Sequence, residues 1–114
     1  MTKYNMEIPE LVFDKEGKNL YHIYLFFIED KWWCFGHSAH YLSMIYPQLE
    51  AFDARSEAPA ESIPCICVPE YCLMKLSDCY DTLVSDTCIQ VSPPPTVYCY
   101  RKEYDLWCEQ LAVN

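Results

Sequence analysis

The order of apolar and polar positions predicts a hairpin in the first third of the chain. A mostly apolar run from Leu20 to Glu29 has the length and composition of a buried strand. The charged segment Glu29-Asp30-Lys31 can reverse the chain, and Trp32 to Gly36 then forms a second apolar strand. Neighbouring side chains of a strand point to opposite faces, so only one of Trp32 and Trp33 can face a given core.

Turn residues and periodicity predict the elements on either side of this hairpin. Before it, the sequence predicts a short strand at Glu10 to Asp14 and a turn at Lys15 to Asn19. After it, the pattern predicts a helix with Ser38 as N-cap that ends near Pro47, a strand at Leu49 to Ala54 and an exposed loop at Arg55 to Ser62.

The second half of the chain predicts further strands and two helices. Pro64 interrupts Ile63 to Val68, which favours an edge strand over a central one. Pro69 and Glu70 suit the start of a helix, and apolar residues at spacings of three and four continue it. These apolar positions are Leu73, Leu76, Tyr80 and Leu83. Strands are predicted at Thr87 to Val91 and Thr96 to Tyr100, followed by a helix from Glu103 to Val113.

These elements define the fold class as α+β, or mixed α/β, with sheet and helices in layers. The 114 residues are enough for one core, so residues 1–114 are expected to form a single domain. No stretch approaches the roughly 20 apolar residues of a membrane span. The segment Met1 to Pro9 lacks the apolar region of a signal peptide, so we expect a cytoplasmic protein that does not enter a membrane.

The eight cysteines are expected to be reduced thiols, because disulfides belong mainly to secreted proteins. Cys65-Ile66-Cys67 is a C-x-C, and no C-x-x-C occurs, so the cysteines are interpreted as small apolar core residues. His37 and His40 stand three apart, yet no nearby carboxylate or cysteine completes a ligand set. We therefore expect neither a metal nor another cofactor.

Catalysis has the weakest basis in the sequence. Cys34 and His37 resemble a thiol nucleophile and its base, but their separation spans a boundary between strand and helix, and no third orienting group is indicated. A buried, inert cysteine and a surface histidine explain the same residues. We expect no catalytic residues and no enzymatic activity.

The charge of the chain opposes general binding to nucleic acid. Seventeen acidic and eight basic residues give a net charge of −9, which repels phosphate over the surface as a whole and also favours solubility. The basic residues are scattered, and Lys31 is the one that directly precedes the tryptophans. Any DNA contact would therefore be local and weak.

Three segments, taken in order, carry a resemblance to a known family. They are Leu25-Phe26-Phe27 before a turn and an aromatic pair, Ile63-Pro64-Cys65-Ile66-Cys67-Val68-Pro69 before a helix, and Cys88-Ile89-Gln90-Val91-Ser92 before a proline. This order resembles the N-terminal mismatch-recognition domain of MutS, over roughly Asn19 to Pro95. The resemblance implies a mixed β-sheet flanked by about three helices, in a module that contacts DNA.

In that family a phenylalanine wedges beside the mismatched base and a glutamate hydrogen-bonds to it. Wedge insertion requires a rigid aromatic or apolar side chain. The phenylalanine position falls on Trp32 or on Lys31, depending on which end of the segment anchors the alignment, and the glutamate position falls on Cys34 or Trp33. The resemblance therefore carries an aromatic wedge only when the alignment is anchored at Leu25-Phe26-Phe27, and it carries the carboxylate under neither anchoring. With only two glycines the chain cannot form a Walker A loop, which excludes autonomous mismatch repair.

Two functions follow as expectations. The first is a non-catalytic module like the MutS N-terminal domain, with a DNA-binding or accessory role in DNA processing and with Lys31, Trp32 and Trp33 as the contact. The second is a protein-interaction module that keeps the fold without binding DNA and docks a partner through an aromatic patch, since 16% of the chain is aromatic. Under a third interpretation, both tryptophans simply fill the core. The sequence fixes neither the partner nor the oligomeric state.

Overall fold

The structure, a computed structural model, describes residues 3–5, 7–19, 21–57, 60–93 and 101–113. It confirms a mixed α+β fold. The strands are β1 (Lys3–Asn5), β2 (Ile23–Ile28), β3 (Lys31–Phe35), β4 (Ala51–Glu57), β5 (Ala60–Val68), β6 (Thr82–Val84) and β7 (Ile89–Val91). The helices are α1 (Glu10–Gly17), α2 (Gly36–Ile45), α3 (Glu70–Cys79) and α4 (Arg101–Val113).

Over the described residues the strands form one sheet in the order β1-β4-β5-β3-β2-β7-β6. β1 runs parallel to β4, and the other neighbouring pairs are antiparallel. The predicted hairpin forms its centre as β2 and β3. The mixed sheet expected from the sequence is therefore present, and both β1 and β6 lie at its edges.

Each face of the sheet carries its own apolar core, because the side chains of a strand alternate between faces. On the first face, Leu25 and Cys34 pack with residues of α2 and α3, among them Leu42 and Leu76. On the second face, Phe26, Trp33 and Phe35 pack with Ile8 and with Val12 of α1. The sheet thus lies between helices on both sides.

The predicted strand at Glu10 to Asp14 is wrong, since these residues form the first part of α1. Val12 and Glu16 lie one helical turn apart and form the buried side of α1. Glu10 lies in the first turn, where a carboxylate interacts favourably with the helix dipole. The fold consequently has a fourth helix among the described residues, one more than expected.

The predicted loop at Arg55 to Ser62 is also wrong, because β4 and β5 continue through it. Glu57 pairs with Ala60, so the strands are joined across residues 58 and 59, which lie outside the described residues. β5 is central and not an edge strand, since β3 and β4 pair with it on either side. Pro64 is tolerated because the pairing with β3 ends one residue away, where Phe35 meets Cys65.

The helix predictions are largely confirmed. α2 ends at Ile45, just before Pro47, but it begins at Gly36, so Ser38 is inside the helix and not its N-cap. Pro69 is the N-cap of α3, and α4 covers the predicted C-terminal helix. α3 ends at Cys79, which places Leu83 in β6. The predicted strand at Thr96–Tyr100 lies outside the described residues.

Candidate functional site

The turn of the central hairpin has an unusual backbone for its sequence. Ile28 pairs with Lys31, which leaves Glu29 and Asp30 as a two-residue loop. Their φ angles are 52° and 64°, so both residues are in the left-handed region, as a type I′ turn requires. Such turns favour Asn-Gly, because side chains with a Cβ are strained there. The turn therefore reverses the chain where the sequence predicted, at a conformational cost.

Trp33 is part of the core. Its side chain is 3% exposed and packs on the second face of the sheet with Phe26 and Phe35. Its indole N–H donates a hydrogen bond of 3.1 Å to the carbonyl oxygen of Ile28. A buried indole with its polar atom satisfied is a structural residue, so Trp33 does not present a contact surface as the sequence suggested.

Trp32 lies on the opposite face, where it pairs across the strands with Phe27. The two ring centroids are 5.1 Å apart, with the ring planes tilted by 54°. Trp32 is half-buried against the first core, whereas Phe27 is 56% exposed. The sequence did not predict Phe27 as a contact residue, because it stands in a continuous apolar run. Together the two rings form an aromatic surface beside solvent.

Lys31 is separated from that aromatic surface. It is exposed, and as the neighbour of Trp32 in the same strand it points to the other face. It directly follows the acidic turn of Glu29 and Asp30. The three predicted contact residues are therefore not brought together, since Lys31 and Trp33 lie on one face and Trp32 on the other.

An apolar groove of about 320 Å³ lies on the same face as Trp32. It is formed between α3 and the last strands of the sheet, and its lining residues are Leu25, Leu73, Met74, Ser77, Asp78, Thr82, Val84, Ile89 and Val91. Met74 is 69% exposed and Val84 is 77% exposed. Phe27 lies two residues beyond Leu25 on β2, so it extends the groove toward the hairpin. We call the surface of Phe27, Trp32, Met74, Val84 and Ile89 the groove face.

Carboxylates surround the groove face. Leu25 pairs with Ile89, and this register places the β2–β3 turn and the β6–β7 turn at the same end of the sheet. The exposed acidic residues at these turns and along the groove are Glu29, Asp30, Asp78 and Asp86. The nearby cation of Lys75 lies over the ring of Tyr71, 5.8 Å from its centroid. The local charge is therefore negative, like that of the whole chain.

A buried carboxylate network lies elsewhere, where α1 meets the start of α2. Glu16 accepts hydrogen bonds from the hydroxyl of Ser38 at 2.6 Å, from the Ser38 backbone N–H at 3.1 Å and from the side-chain amide of Asn19 at 3.2 Å. The same hydroxyl accepts the backbone N–H of Tyr24 at 2.9 Å. Burial raises the pKa of Glu16 to about 7, although these hydrogen bonds oppose the shift. The network joins α1, α2 and β2.

Gly36 makes this junction possible. Its φ angle is +56°, and a Cβ at this position would lie 3.3 Å from Oε1 of Glu16 and 3.3 Å from Cδ1 of Ile63. A cleft of about 440 Å³ opens beside Glu16. Among the described residues every buried side-chain nitrogen or oxygen has a hydrogen-bond partner. The oxygens of Glu16 are thus committed to holding the helices together, and the polar side chains of Asp14, His37, Ser62 and Tyr104 also line the cleft.

The cysteines and histidines considered for chemistry are held in packing contacts. Burial holds the pKa of the Cys34 thiol well above its usual range and raises that of Cys65 to about 12, so both thiols are protonated at neutral pH. His37 stacks on Tyr104 of α4, with ring centroids 3.8 Å apart. His40 lies 4.9 Å from the ring of Trp107 on the same helix. The two histidines therefore join α2 to α4.

Within the part of the chain that the structure describes, no three histidine, cysteine, aspartate or glutamate side chains come together in a way that could hold a metal ion. No helix of these residues is long and apolar enough to cross a membrane. Comparison with family models, with curated proteins and with solved structures found no match. The resemblance to the MutS domain accordingly stays a prediction that rests on the three sequence segments.

Proposed function

We propose that this chain is a non-enzymatic protein-interaction module that docks a partner through the groove face. The observation that carries the proposal is the exposure of large apolar side chains along one side of the sheet, with Phe27, Met74 and Val84 each more than half exposed. Contiguous apolar surface of this kind is typical of an interaction site. Aromatic residues such as Phe27 and Trp32 are common anchors of interfaces.

The charge around the groove face defines the chemistry of the partner. Four carboxylates lie beside the surface, at the two turns and along the groove. A partner with apolar anchors and flanking lysine or arginine residues complements this arrangement, since opposite charges steer association and like charges suppress it. The expected partner is therefore a basic, apolar protein segment.

The same charges make DNA the weaker candidate for this surface. Phosphate binding depends on lysine and arginine, whereas Glu29 and Asp30 stand beside the aromatic pair. Lys31 points to the other face, and the indole of Trp33 is buried. A DNA-related role like that of the MutS domain consequently rests on sequence resemblance, whereas the placement of aromatic and acidic groups supports a protein partner.

The proposal is tested by selecting binders from a random linear peptide library on the intact chain. We expect enrichment of peptides that combine apolar and basic residues. Their affinity should fall by about tenfold or more in Phe27→Ser, because an interface anchor contributes on the order of 2 kcal/mol. Leu106→Ser is the matched control, since Leu106 is 50% exposed on α4 and lies outside the groove face.

A parallel measurement addresses nucleic acid. Fluorescence anisotropy with duplex, mismatched and single-stranded DNA at low salt should show no binding. Selected peptides that bind Phe27→Ser as well as the unchanged chain would refute the docking surface. Binding to mismatched DNA that is lost in Trp32→Ala would instead favour the role implied by the MutS resemblance.

A further inference from the structure

β6 is a terminal strand of the sheet, and its hydrogen bonds show which way its backbone points. The backbone N–H of Ser85 donates to the carbonyl of Cys88 at 2.9 Å, and that of Ser92 donates to the carbonyl of Asp81 at 3.0 Å. Hydrogen-bonded pairs alternate along an antiparallel ladder, so Leu83 pairs in the same way with Gln90.

The residues between these pairs face the opposite direction. Thr82 and Val84 occupy the non-hydrogen-bonded positions, so their N–H and C=O groups point away from β7. No strand of the described residues lies beyond β6. Natural proteins usually protect such an edge against strand addition by keeping the strand very short, or by charge, proline or a bulge, and β6 is itself only three residues long. The three residues of β6 are Thr82, Leu83 and Val84, none of which is charged or proline.

We propose that the partner binds as an extended strand that pairs with the outer edge of β6 and inserts alternate apolar side chains into the groove. This inference rests on the proposed function and specifies the partner's conformation. Peptides that add to a sheet edge gain affinity from main-chain hydrogen bonds and specificity from pockets for every second side chain. Here the backbone groups of Thr82 and Val84 supply the main-chain hydrogen bonds, and the groove supplies the pockets for the alternate side chains.

The side chains agree with this geometry. Thr82 and Val84 line the groove, so it begins directly at the edge where the added strand would lie. Met74 and Asp78 of α3 form its other side. An apolar side chain of the partner would meet Met74 in the groove, whereas the basic side chains between the apolar ones would point to the other face, on the side of Asp81, the neighbour of Thr82 in the chain.

Charge also argues against a second copy of this chain as the occupant. Two molecules would each bring a net charge of −9, and pairing two β6 edges would bring their groups of carboxylates together. Like charges placed opposite each other are destabilising. An extended segment with alternating apolar and basic residues avoids this repulsion.

The test uses three synthetic peptides titrated against the intact chain by calorimetry and by NMR of the backbone amides. The probe is acetyl-KVKVKVK-amide. The charge control is acetyl-EVEVEVE-amide. The backbone control is the basic peptide with two adjacent central residues N-methylated, so that neither of its edges can form a continuous ladder. We expect the basic peptide to bind and each control to bind at least about tenfold more weakly.

Amide hydrogen exchange provides the direct signature. In the unbound chain the N–H of Leu83 should be protected, and that of Val84 should exchange freely, because only the first points toward β7. The basic peptide should protect Val84. Protection of Val84 without peptide would overturn the inference, since the outer edge would already be engaged.

Variants of β6 test the same point from the protein side. Val84→Pro removes the outward N–H and should weaken peptide binding by about tenfold or more, while the pairing with β7 survives because that N–H takes no part in it. Val84→Thr, which keeps the N–H, should bind within a few-fold of the unchanged chain. If Val84→Pro does not fold, the N-methylated peptide alone tests whether binding depends on main-chain hydrogen bonds.

The outcomes separate the two proposals. Peptide binding that Phe27→Ser weakens but that Val84→Pro and N-methylation leave unchanged would overturn strand addition and keep docking on the groove face. Failure of the basic peptide to bind more tightly than about 1 mM, or equal binding of the acidic peptide, would also overturn the inference. A dimer in sedimentation experiments that Val84→Pro dissociates would identify a second copy as the occupant and would overturn it too.

Discussion

Glu16 should make this protein less stable as the pH rises through neutrality. Glu16 is 5% exposed, and burial raises the pKa of its carboxyl from the ordinary value of 4.5 to about 7. Between these values the folded chain retains a proton that the unfolded chain has released. Stability linked to this group is therefore fully present below about pH 4.5 and is lost as the pH rises toward and past 7.

The size of the effect follows from the two pKa values. Each pKa unit corresponds to about 1.36 kcal/mol, so a rise from 4.5 to about 7 corresponds to a loss of about 3 kcal/mol in the free energy of unfolding. This is a large part of the roughly 5–15 kcal/mol that stabilises a typical domain. The network accommodates the neutral acid, because a protonated Glu16 can donate to the Ser38 hydroxyl, which then turns toward the carbonyl of His22, 3.5 Å away.

The assay is urea unfolding of the unchanged chain and of Glu16→Gln at pH 5 and at pH 8. Glutamine reproduces the shape and hydrogen bonding of the neutral acid but does not titrate. We expect the unchanged chain to lose about 2–3 kcal/mol more than Glu16→Gln between the two pH values, since part of the full effect is already lost at pH 5. Comparing the two proteins cancels the titration of all other groups.

A stability difference between the two proteins that does not change with pH would refute the prediction that Glu16 keeps its proton in the folded chain. A difference of the opposite sign would show that the hydrogen bonds from Ser38 and Asn19 outweigh burial and lower the pKa of Glu16. Unfolding monitored by tryptophan fluorescence and by circular dichroism should give the same transition, as two-state analysis requires.

Four further changes should alter stability in directions that thermal or urea unfolding can measure. Gly36→Ala should lose about 1–2 kcal/mol or more from left-handed strain and crowding of the Glu16 network, whereas Gly17→Ala, with no atom within 4 Å of the new Cβ, should gain about 0.5–1 kcal/mol. Equal changes in stability for Gly36→Ala and Gly17→Ala would contradict the argument that Gly36 is strained. The double change Glu29→Asn and Asp30→Gly should gain about 1–2 kcal/mol by relieving the turn, and no gain would argue against its type I′ geometry. Trp33→Ala should lose about 3–5 kcal/mol, and a loss below about 1 kcal/mol would contradict core packing.

The hairpin, the C-terminal end of α2 and the helix after Pro69 were predictable because their signals are local. Apolar runs bounded by turn residues mark strands, and a proline with a following glutamate marks the start of α3. The same combination occurs at the start of α1, where Pro9 is the N-cap and Glu10 the first helical residue. It was outweighed by three consecutive apolar residues, Leu11 to Phe13, which have the composition of a strand. Short apolar runs do not distinguish the two structures by periodicity.

The site was less predictable because it depends on pairing between distant segments. Ser38 lies 22 residues from Glu16, so no local pattern indicates that they share a buried hydrogen bond. The groove likewise requires α3 and β6 to lie on the same side of the sheet as Trp32. The sequence established that the two tryptophans face opposite ways, but it did not establish which one would be buried.

The choice between the tryptophans is fixed by the register of the β2–β3 turn, and this explains why a strained acidic loop matters for the proposed function. A one-residue slip would exchange the faces of Trp32 and Trp33 and would put the wrong indole into the core. The two-residue loop of Glu29 and Asp30 prevents that slip and also places two carboxylates beside Phe27. Asn-Gly in the same positions keeps the register but removes both charges. The double change should therefore raise the stability of the fold and lower its affinity for a basic peptide, and these opposite signs would separate what the turn contributes to folding from what it contributes to binding.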